Sequence, residues 1–152
     1  MSMYSALRPP ASHAHQVGIG IGPMRIIVPG EATGNAYAVC LNSFQPGAGP
    51  SRHVHAREDE IFHILEGRLL VWCDGRTFEA GVGDTALLPR GVPHAFRVVS
   101  KRPARVLMTV VPGGFEHFFD AVAKLRLPDE EARLMSISHD YGIGYIGPPL
   151  ED

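Results

Sequence analysis

Short apolar segments separated by turn residues are the feature that most constrains the fold of this chain. Each segment is four to nine residues long and rich in Val, Ile, Leu or Phe, and stretches such as QPGAGPS, CDGR and PRGVP lie between them. Many short strands with close turns are typical of a sandwich or barrel, not of a parallel α/β sheet. We therefore predict an all-β fold. The predicted strands are 25–28, 36–44, 60–65, 69–73, 85–88, 95–99 and 105–111.

The last forty residues have a different pattern. Aromatic and aliphatic residues recur at helical spacing over 113–125, which predicts a helix with one apolar face. A second helix is expected to begin with Asp129 as its cap and to end at Gly142. We therefore predict an irregular segment over 1–16, a β-barrel over 17–112, and C-terminal helices with a packed tail over 113–152.

Composition limits the class of partner. The chain has 152 residues, of which 45% are hydrophobic and 20% charged, with a net charge of −2. Such a charge gives no strong field to attract nucleic acid. No apolar run reaches the roughly 18 residues that a membrane span needs, and no signal peptide is visible, so we expect a cytoplasmic protein. The two cysteines, Cys40 and Cys73, lie in apolar runs and are predicted to be free thiols.

Three histidines and one glutamate are placed to meet at one point. His53 and His55 are two residues apart, so in an extended strand they point to the same face. Glu60 opens the next predicted strand and shares its face with apolar residues, which is unusual for a solvated surface. His94 begins a third strand after a Pro-Gly turn. Three imidazoles and a carboxylate can therefore converge on a divalent metal ion.

These residues lie in two segments that resemble the motifs of the cupin family. The first matches the family pattern G-x5-H-x-H-x4-E-x6-G at Gly47, His53, His55, Glu60 and Gly67. The resemblance implies a jelly-roll barrel of two antiparallel sheets with a metal near one end. It also implies a homodimer.

The second segment resembles G-x5-P-x-G-x2-H-x3-N. It matches at Gly83, Pro89, Gly91 and His94, and departs from the pattern at Val98, where the family has Asn. That Asn is not usually a ligand, so the departure leaves the predicted metal site intact. The closing helices also resemble those of small cupins similar to quercetin dioxygenases.

The ligand set restricts the metal without identifying it. Three neutral imidazoles and one carboxylate suit Fe, Mn, Co, Ni, Cu or Zn. The absence of a cysteine ligand argues against a structural zinc site. Four protein ligands leave one or two positions open, which permits dioxygen chemistry or Lewis-acid catalysis.

The resemblance to quercetinase-like cupins implies a dioxygenase acting on a small aromatic or enolic compound, with Glu60 as the base that accepts a substrate hydroxyl proton. Two alternatives stay open: a metal-assisted isomerase, lyase or decarboxylase, and a non-enzymatic binding protein. The residues predicted to line an apolar substrate pocket are Phe62, Ile64, Trp72, Leu88 and Phe96.

Several neighbouring residues compete with the predicted ligands. Glu58 and Asp59 stand beside Glu60, but the motif spacing favours Glu60. His63 has the opposite strand parity and is predicted to face outward. His13 and His15 repeat the His-x-His spacing, and we predict them to be solvent-exposed in an irregular segment.

Overall fold

The computed structural model describes Ala14–Gln16 and residues 21–152. Its strands are β1 (Ala14–Gln16), β2 (Pro23–Val28), β3 (Ala38–Phe44), β4 (Ser51–His55), β5 (Asp59–Glu66), β6 (Arg68–Cys73), β7 (Arg76–Gly81), β8 (Thr85–Leu88), β9 (His94–Val98), β10 (Ala104–Val111) and β11 (Ile143–Pro149). The helices are α1 (His117–Val122) and α2 (Glu131–Asp140), and a short 3-10 turn spans Gly30–Thr33.

The strands form two antiparallel sheets. One sheet has the order β1-β2-β3-β10-β5-β8, and the other has the order β11-β4-β9-β6-β7. Their inner faces pack together, as the rings of Phe62 on β5 and Phe96 on β9 show at a centroid distance of 5.4 Å. The predicted all-β jelly roll of two antiparallel sheets is confirmed, although within the described residues no strand pairing closes the sheets into a barrel.

Alternation along the strands places the core between the sheets. On β3 every second residue is buried, and β10 alternates in the same way. All seven predicted strands are present, with ends shifted by at most two residues.

The predicted free cysteines are also confirmed: Cys40 is buried and Cys73 half-buried. Neither helix is long and apolar enough to span a membrane.

The two ends of the chain differ from the prediction. Ala14–Gln16, predicted to be irregular, form β1 and pair with β2, whereas His13 lies outside the described residues. The tail, predicted as a packed stub, contains β11, which joins the second sheet beside β4. Its alternation is masked by glycines and prolines, so the strand pattern was not visible in the sequence.

The second helix starts later than predicted. Glu130, not Asp129, occupies the cap position, and its side chain makes no capping hydrogen bond. The predicted end is confirmed, because Gly142 has φ 74° and its N–H donates to the carbonyl oxygen of His139 at 2.9 Å.

A buried carboxylate joins the start of the C-terminal region to the loop after β2. Glu116 is fully buried, and its Oε1 accepts a hydrogen bond from the Gly30 N–H at 2.7 Å. Its Oε2 accepts one from the Gly114 N–H at 2.6 Å. A Cβ at Gly30 would lie 2.8 Å from Oε1, so the loop approaches this closely only with glycine there. The contact anchors the polypeptide that leads into α1.

We predict that Glu116→Ala lowers the free energy of unfolding by about 2–4 kcal/mol, because one buried and one partly buried N–H group lose their acceptor. Urea denaturation measures the loss. Glu66→Ala is the control, since its ion pair with Arg105 is exposed and is worth at most about 1 kcal/mol. Equal losses in the two variants would contradict a structural role for Glu116.

Candidate metal centre

Both sheets contribute to a cluster of four buried side chains. His53 and His55 lie on the inner face of β4, and His94 is the first residue of β9, directly opposite His53 in the register. Glu60 faces them from β5 in the other sheet. Their exposed fractions lie between 1% and 8%, so the charges are held away from bulk water.

The four side chains are close enough to share one ion. One ligand atom from each lies within 4.8 Å of all the others. Glu60 Oε2 is 3.1 Å from His94 Nε2 and 3.5 Å from His55 Nε2. The His53 ring is centred 4.5 Å from the His94 ring and 5.0 Å from the His55 ring. The structure therefore brings together all four residues that the sequence predicts as ligands.

Backbone contacts orient two of the imidazoles. His53 Nδ1 lies 2.7 Å from the carbonyl oxygen of Ser51, and His94 Nδ1 lies 3.1 Å from that of Val92. A carbonyl only accepts hydrogen bonds, so each Nδ1 carries the proton. In the neutral ring, Nε2 then presents its lone pair to the cluster, as metal ligation requires.

This arrangement indicates a cation at the centre. With its proton on Nδ1, a neutral His94 directs the Nε2 lone pair at a Glu60 oxygen 3.1 Å away. Two facing acceptors repel each other unless a proton or metal ion lies between them. A set of three nitrogens and one carboxylate oxygen fits a first-row divalent ion.

A second carboxylate supports the third imidazole. Glu58 is only 6% exposed, and its Oε2 lies 3.7 Å from His55 Nδ1. Within the described part of the chain, neither atom has a hydrogen-bond partner at normal distance. A small closure of this gap would give a carboxylate–histidine pair, the common outer support of a metal-bound imidazole.

Burial and mutual charge set the ionisation of the cluster. Burial lowers the pKa of His53 to about 4, and the charges of His94 and His55 add to the effect. Burial would raise the pKa of Glu60, but His55, His94 and His53 outweigh it and lower that pKa to about 2. Burial opposes protonation of His55, yet Glu60 and Glu58 raise its pKa. The centre therefore holds an ionised carboxylate and a neutral His53 near neutral pH.

The three consecutive acids at the start of β5 have different roles. Glu60 points into the cluster and Glu58 lies behind His55. Asp59 faces outward, where its Oδ1 accepts hydrogen bonds from the backbone N–H and the Nε of Arg90. Of these three acids, only Glu60 therefore has its carboxylate among the imidazoles.

The other predicted positions are also distinguishable. His63 faces away from the cluster, and its Nδ1 lies 2.8 Å from Thr85 Oγ1. Val98 is buried among apolar residues. His15 lies in β1, and His117 and His139 are on the helices; among the described side chains, neither His117 nor His139 belongs to the cluster.

A cavity of about 520 Å³ opens from the cluster between the two sheets and extends to α2 and β11. The aromatic part of its wall includes Phe115, which packs edge-on against the His55 ring with centroids 4.6 Å apart. The lining residues other than the ligands are mostly apolar. They include Ile21, Phe44, Phe62, Phe96, Met108, Phe115, Phe118, Phe119, Leu134 and Tyr145.

The predicted pocket residues fall into two groups. Phe62 and Phe96 line the cavity. Ile64 and Leu88 are buried in the core and are not part of the lining, although Ile64 shares the inner face with Glu60. Trp72 lies on the outer face of β6, under the Arg52 guanidinium at 5.3 Å. The predicted wall is thus corrected at Ile64, Trp72 and Leu88.

Some lining residues were not singled out from the sequence. Asn42 lines the cavity from the inner face of β3, and a polar residue in the apolar run AVCLNSF was the available signal. Phe115, Phe118 and Phe119 lie in the segment 113–125, predicted as a helix with one apolar face, and they also form cavity wall. Their helical spacing gave no indication of the space between them and the sheets.

Part of the chain is similar in sequence to known proteins. The cupin domain family model matches residues 41–110, a range that contains all four clustered residues. Quercetin 2,3-dioxygenase of Bacillus subtilis (strain 168) is 29% identical over 97 residues, which are 64% of this chain and 28% of that protein. The chain spans between about a quarter and a half of the length of the first curated relatives it matches.

Solved structures share the architecture. KdgF from Halomonas sp. superposes with a TM-score of 0.63 at 18% identity, covering 73% of this chain and 98% of that one. A sugar phosphate isomerase of the cupin superfamily from Silicibacter pomeroyi superposes with a TM-score of 0.51 at 27% identity, covering 62% of each chain. Together with the two-sheet jelly roll, these matches show that the chain has a cupin fold, and residues 41–110 match the cupin domain model.

Proposed function

We propose that this chain binds one divalent transition-metal ion through His53, His55, Glu60 and His94 and is a metal-dependent dioxygenase for a small aromatic or enolic compound. One observation is the main support for this proposal. The buried cluster of three histidines and one glutamate borders a cavity whose wall contains several aromatic rings. The similarity to a quercetin 2,3-dioxygenase supports this choice of chemistry. The metal, when bound, would supply open positions for Lewis-acid or, with a redox-active ion, dioxygen chemistry.

The cavity wall suits a flat apolar substrate. Phe44, Phe62 and Phe96 contact one another with centroid distances of 4.7 to 6.3 Å and present a continuous aromatic surface. Such a surface gains free energy by burying another ring and excludes water from the cluster. Within the described residues the lining contains no Lys or Arg, which argues against a phosphorylated substrate.

Glu60 is the group we assign as proton acceptor. Its pKa of about 2 keeps it ionised at any working pH, and its Oε2 lies at the centre of the cluster. A substrate hydroxyl entering the cavity beside the imidazoles would meet this oxygen. Because a carboxylate with so low a pKa is a weak base, it suits an acidic enol or phenol better than an alcohol.

A second candidate is a metal-assisted isomerase, lyase or decarboxylase using the same ligands. The similarity to a sugar phosphate isomerase favours it, and the apolar lining disfavours it. A non-enzymatic carrier would use the same cavity and leave its ligand unchanged. The homodimer and the cytoplasmic location stay predictions of the sequence.

We predict that untagged protein contains one equivalent of Fe, Mn, Co, Ni or Cu, and that His53→Ala/His94→Ala removes it, because two of four ligands are lost. Elemental analysis measures both. His63→Ala is the matched control, since that imidazole faces Thr85 on the other side of β5 and should leave the metal in place. Wild-type protein that holds no metal even after reconstitution would overturn the proposed centre.

The dioxygenase reaction is tested with an oxygen electrode, using quercetin and catechol as probes. We expect metal-loaded protein to consume oxygen with at least one probe, and Glu60→Gln to lower the rate per bound metal by about 100-fold or more. Fully metallated protein that consumes no oxygen would exclude the dioxygenase. Substrate turnover without oxygen consumption would favour the isomerase, lyase or decarboxylase class.

Glu58 should affect metal affinity without being a ligand. We predict that Glu58→Gln weakens metal binding by about 10- to 100-fold, because His55 loses its carboxylate partner. Competition with a chelator measures the affinity. Asp59→Asn is the control, as its carboxylate faces Arg90, and an equal loss of affinity in that variant would contradict the assignment.

A further inference from the structure

The side chain of Asn42 places an amide group in the otherwise apolar part of the cavity wall. Asn42 is 1% exposed and points inward from β3, between the buried Cys40 and Phe44 on the same face. Its partners across the sheet are Met24 on β2 and Val106 on β10, both apolar. It lines the cavity, and among the residues that the structure describes its Nδ2 has no hydrogen-bond partner.

An unsatisfied buried donor is unfavourable, and most buried polar groups in proteins are paired. Leucine could occupy this position on β3 without such a cost, because every neighbour across the sheet is apolar. The described residues offer the Nδ2 group no partner, and Asn42 lines the cavity, so a polar group of a ligand that enters the cavity can satisfy it.

The sheet register gives the distance between Asn42 and the metal centre. Glu60, Val110 and Ala38 lie in one row across β5, β10 and β3. Ile64, Val106 and Asn42 form the row four residues further along. At about 3.3 Å per residue and 4.8 Å per strand, the two backbone positions are roughly 16 Å apart. The two side chains point to the inner face of the same sheet, so their polar ends are also roughly this far apart, and a contact of about 3 Å at each end leaves roughly 10 Å for a ligand.

We propose that Asn42 is a second anchor of the ligand site and donates a hydrogen bond to an oxygen at the end of the ligand remote from the His–Glu cluster. The ligand class is then an elongated aromatic compound, two or three rings long, with an oxygen at each end. The rings lie against Phe44, Phe62 and Phe96, between the two polar ends of the cavity. The inference rests on the proposed function only in using the same cavity, and it is independent of the reaction.

The test uses two matched probes, 4,4′-dihydroxybiphenyl and 4-hydroxybiphenyl, which differ only in the second oxygen. Isothermal titration calorimetry with the metallated wild-type protein should show about tenfold tighter binding of the dihydroxy probe, since one hydrogen bond is worth about that factor. In Asn42→Leu the two probes should bind equally, at the affinity of 4-hydroxybiphenyl. Ser43→Ala, one residue away on the outer face, should keep the wild-type preference.

Thermal unfolding separates a ligand role from a structural one. Asn42→Leu should melt at or above the wild-type temperature, because no hydrogen bond from Nδ2 within the protein is lost. A lower melting temperature with equal weakening of both probes would overturn the proposal in favour of a structural amide. Wild-type protein that binds both probes equally, or neither, would also overturn it.

These outcomes are distinguishable from failure of the dioxygenase proposal. Oxygen consumption without any preference between the probes would remove the Asn42 anchor alone. A clear preference in protein that consumes no oxygen would remove the dioxygenase alone.

Discussion

The contact of one buried carboxylate with three imidazoles is the interaction on which the rest of the structure depends. Glu60 comes from one sheet, and His53, His55 and His94 come from the other, so the cluster spans the interior of the jelly roll. An isolated carboxylate at 4% exposure would be strongly destabilising, and a proton or metal ion shared with the imidazoles makes its burial possible. Spacing and alignment of the two sheets at this end are therefore set by polar contacts, whereas aromatic and aliphatic packing sets them at the other end.

The geometry of the centre is built mainly by backbone. The β4–β9 pairing puts His53 opposite His94, and the carbonyl groups of Ser51 and Val92 hold the two rings by their Nδ1 atoms. Ser51 lies in β4 and Val92 in the turn before β9, and backbone carbonyl groups move less freely than side chains, so the two rings are oriented without an ion. The edge-on contact of Phe115 restricts His55 in turn, which connects the C-terminal region to the centre.

Much of the fold and the ligand set could be predicted from the sequence because both follow local rules. Two-residue alternation determines which face His53 and His55 share, and close turns determine the short strands. The same alternation does not say how deep a residue lies, so Ile64 was predicted as cavity wall although it is packed in the core. To place Trp72 correctly, one must know which residues of β6 face inward, because a shift of one residue moves a side chain to the opposite face.

Long-range pairing explains what the sequence did not reveal. β11 carries Gly144, Gly147 and two prolines, and only its contact with β4 makes it a strand. The cavity beside Asn42 is lined by residues from both sheets and from the C-terminal helical region, and no local sequence pattern encodes such a long-range arrangement.

The pairing of β11 with β4 also orders events during synthesis. Ile143 and Tyr145 lie opposite His55 and His53, about ninety residues later in the chain. Until they have left the ribosome, the strand that bears two histidines of the cluster has an open edge, with unpaired N–H and C=O groups on that side. This edge of the second sheet can therefore be completed only after synthesis has reached β11.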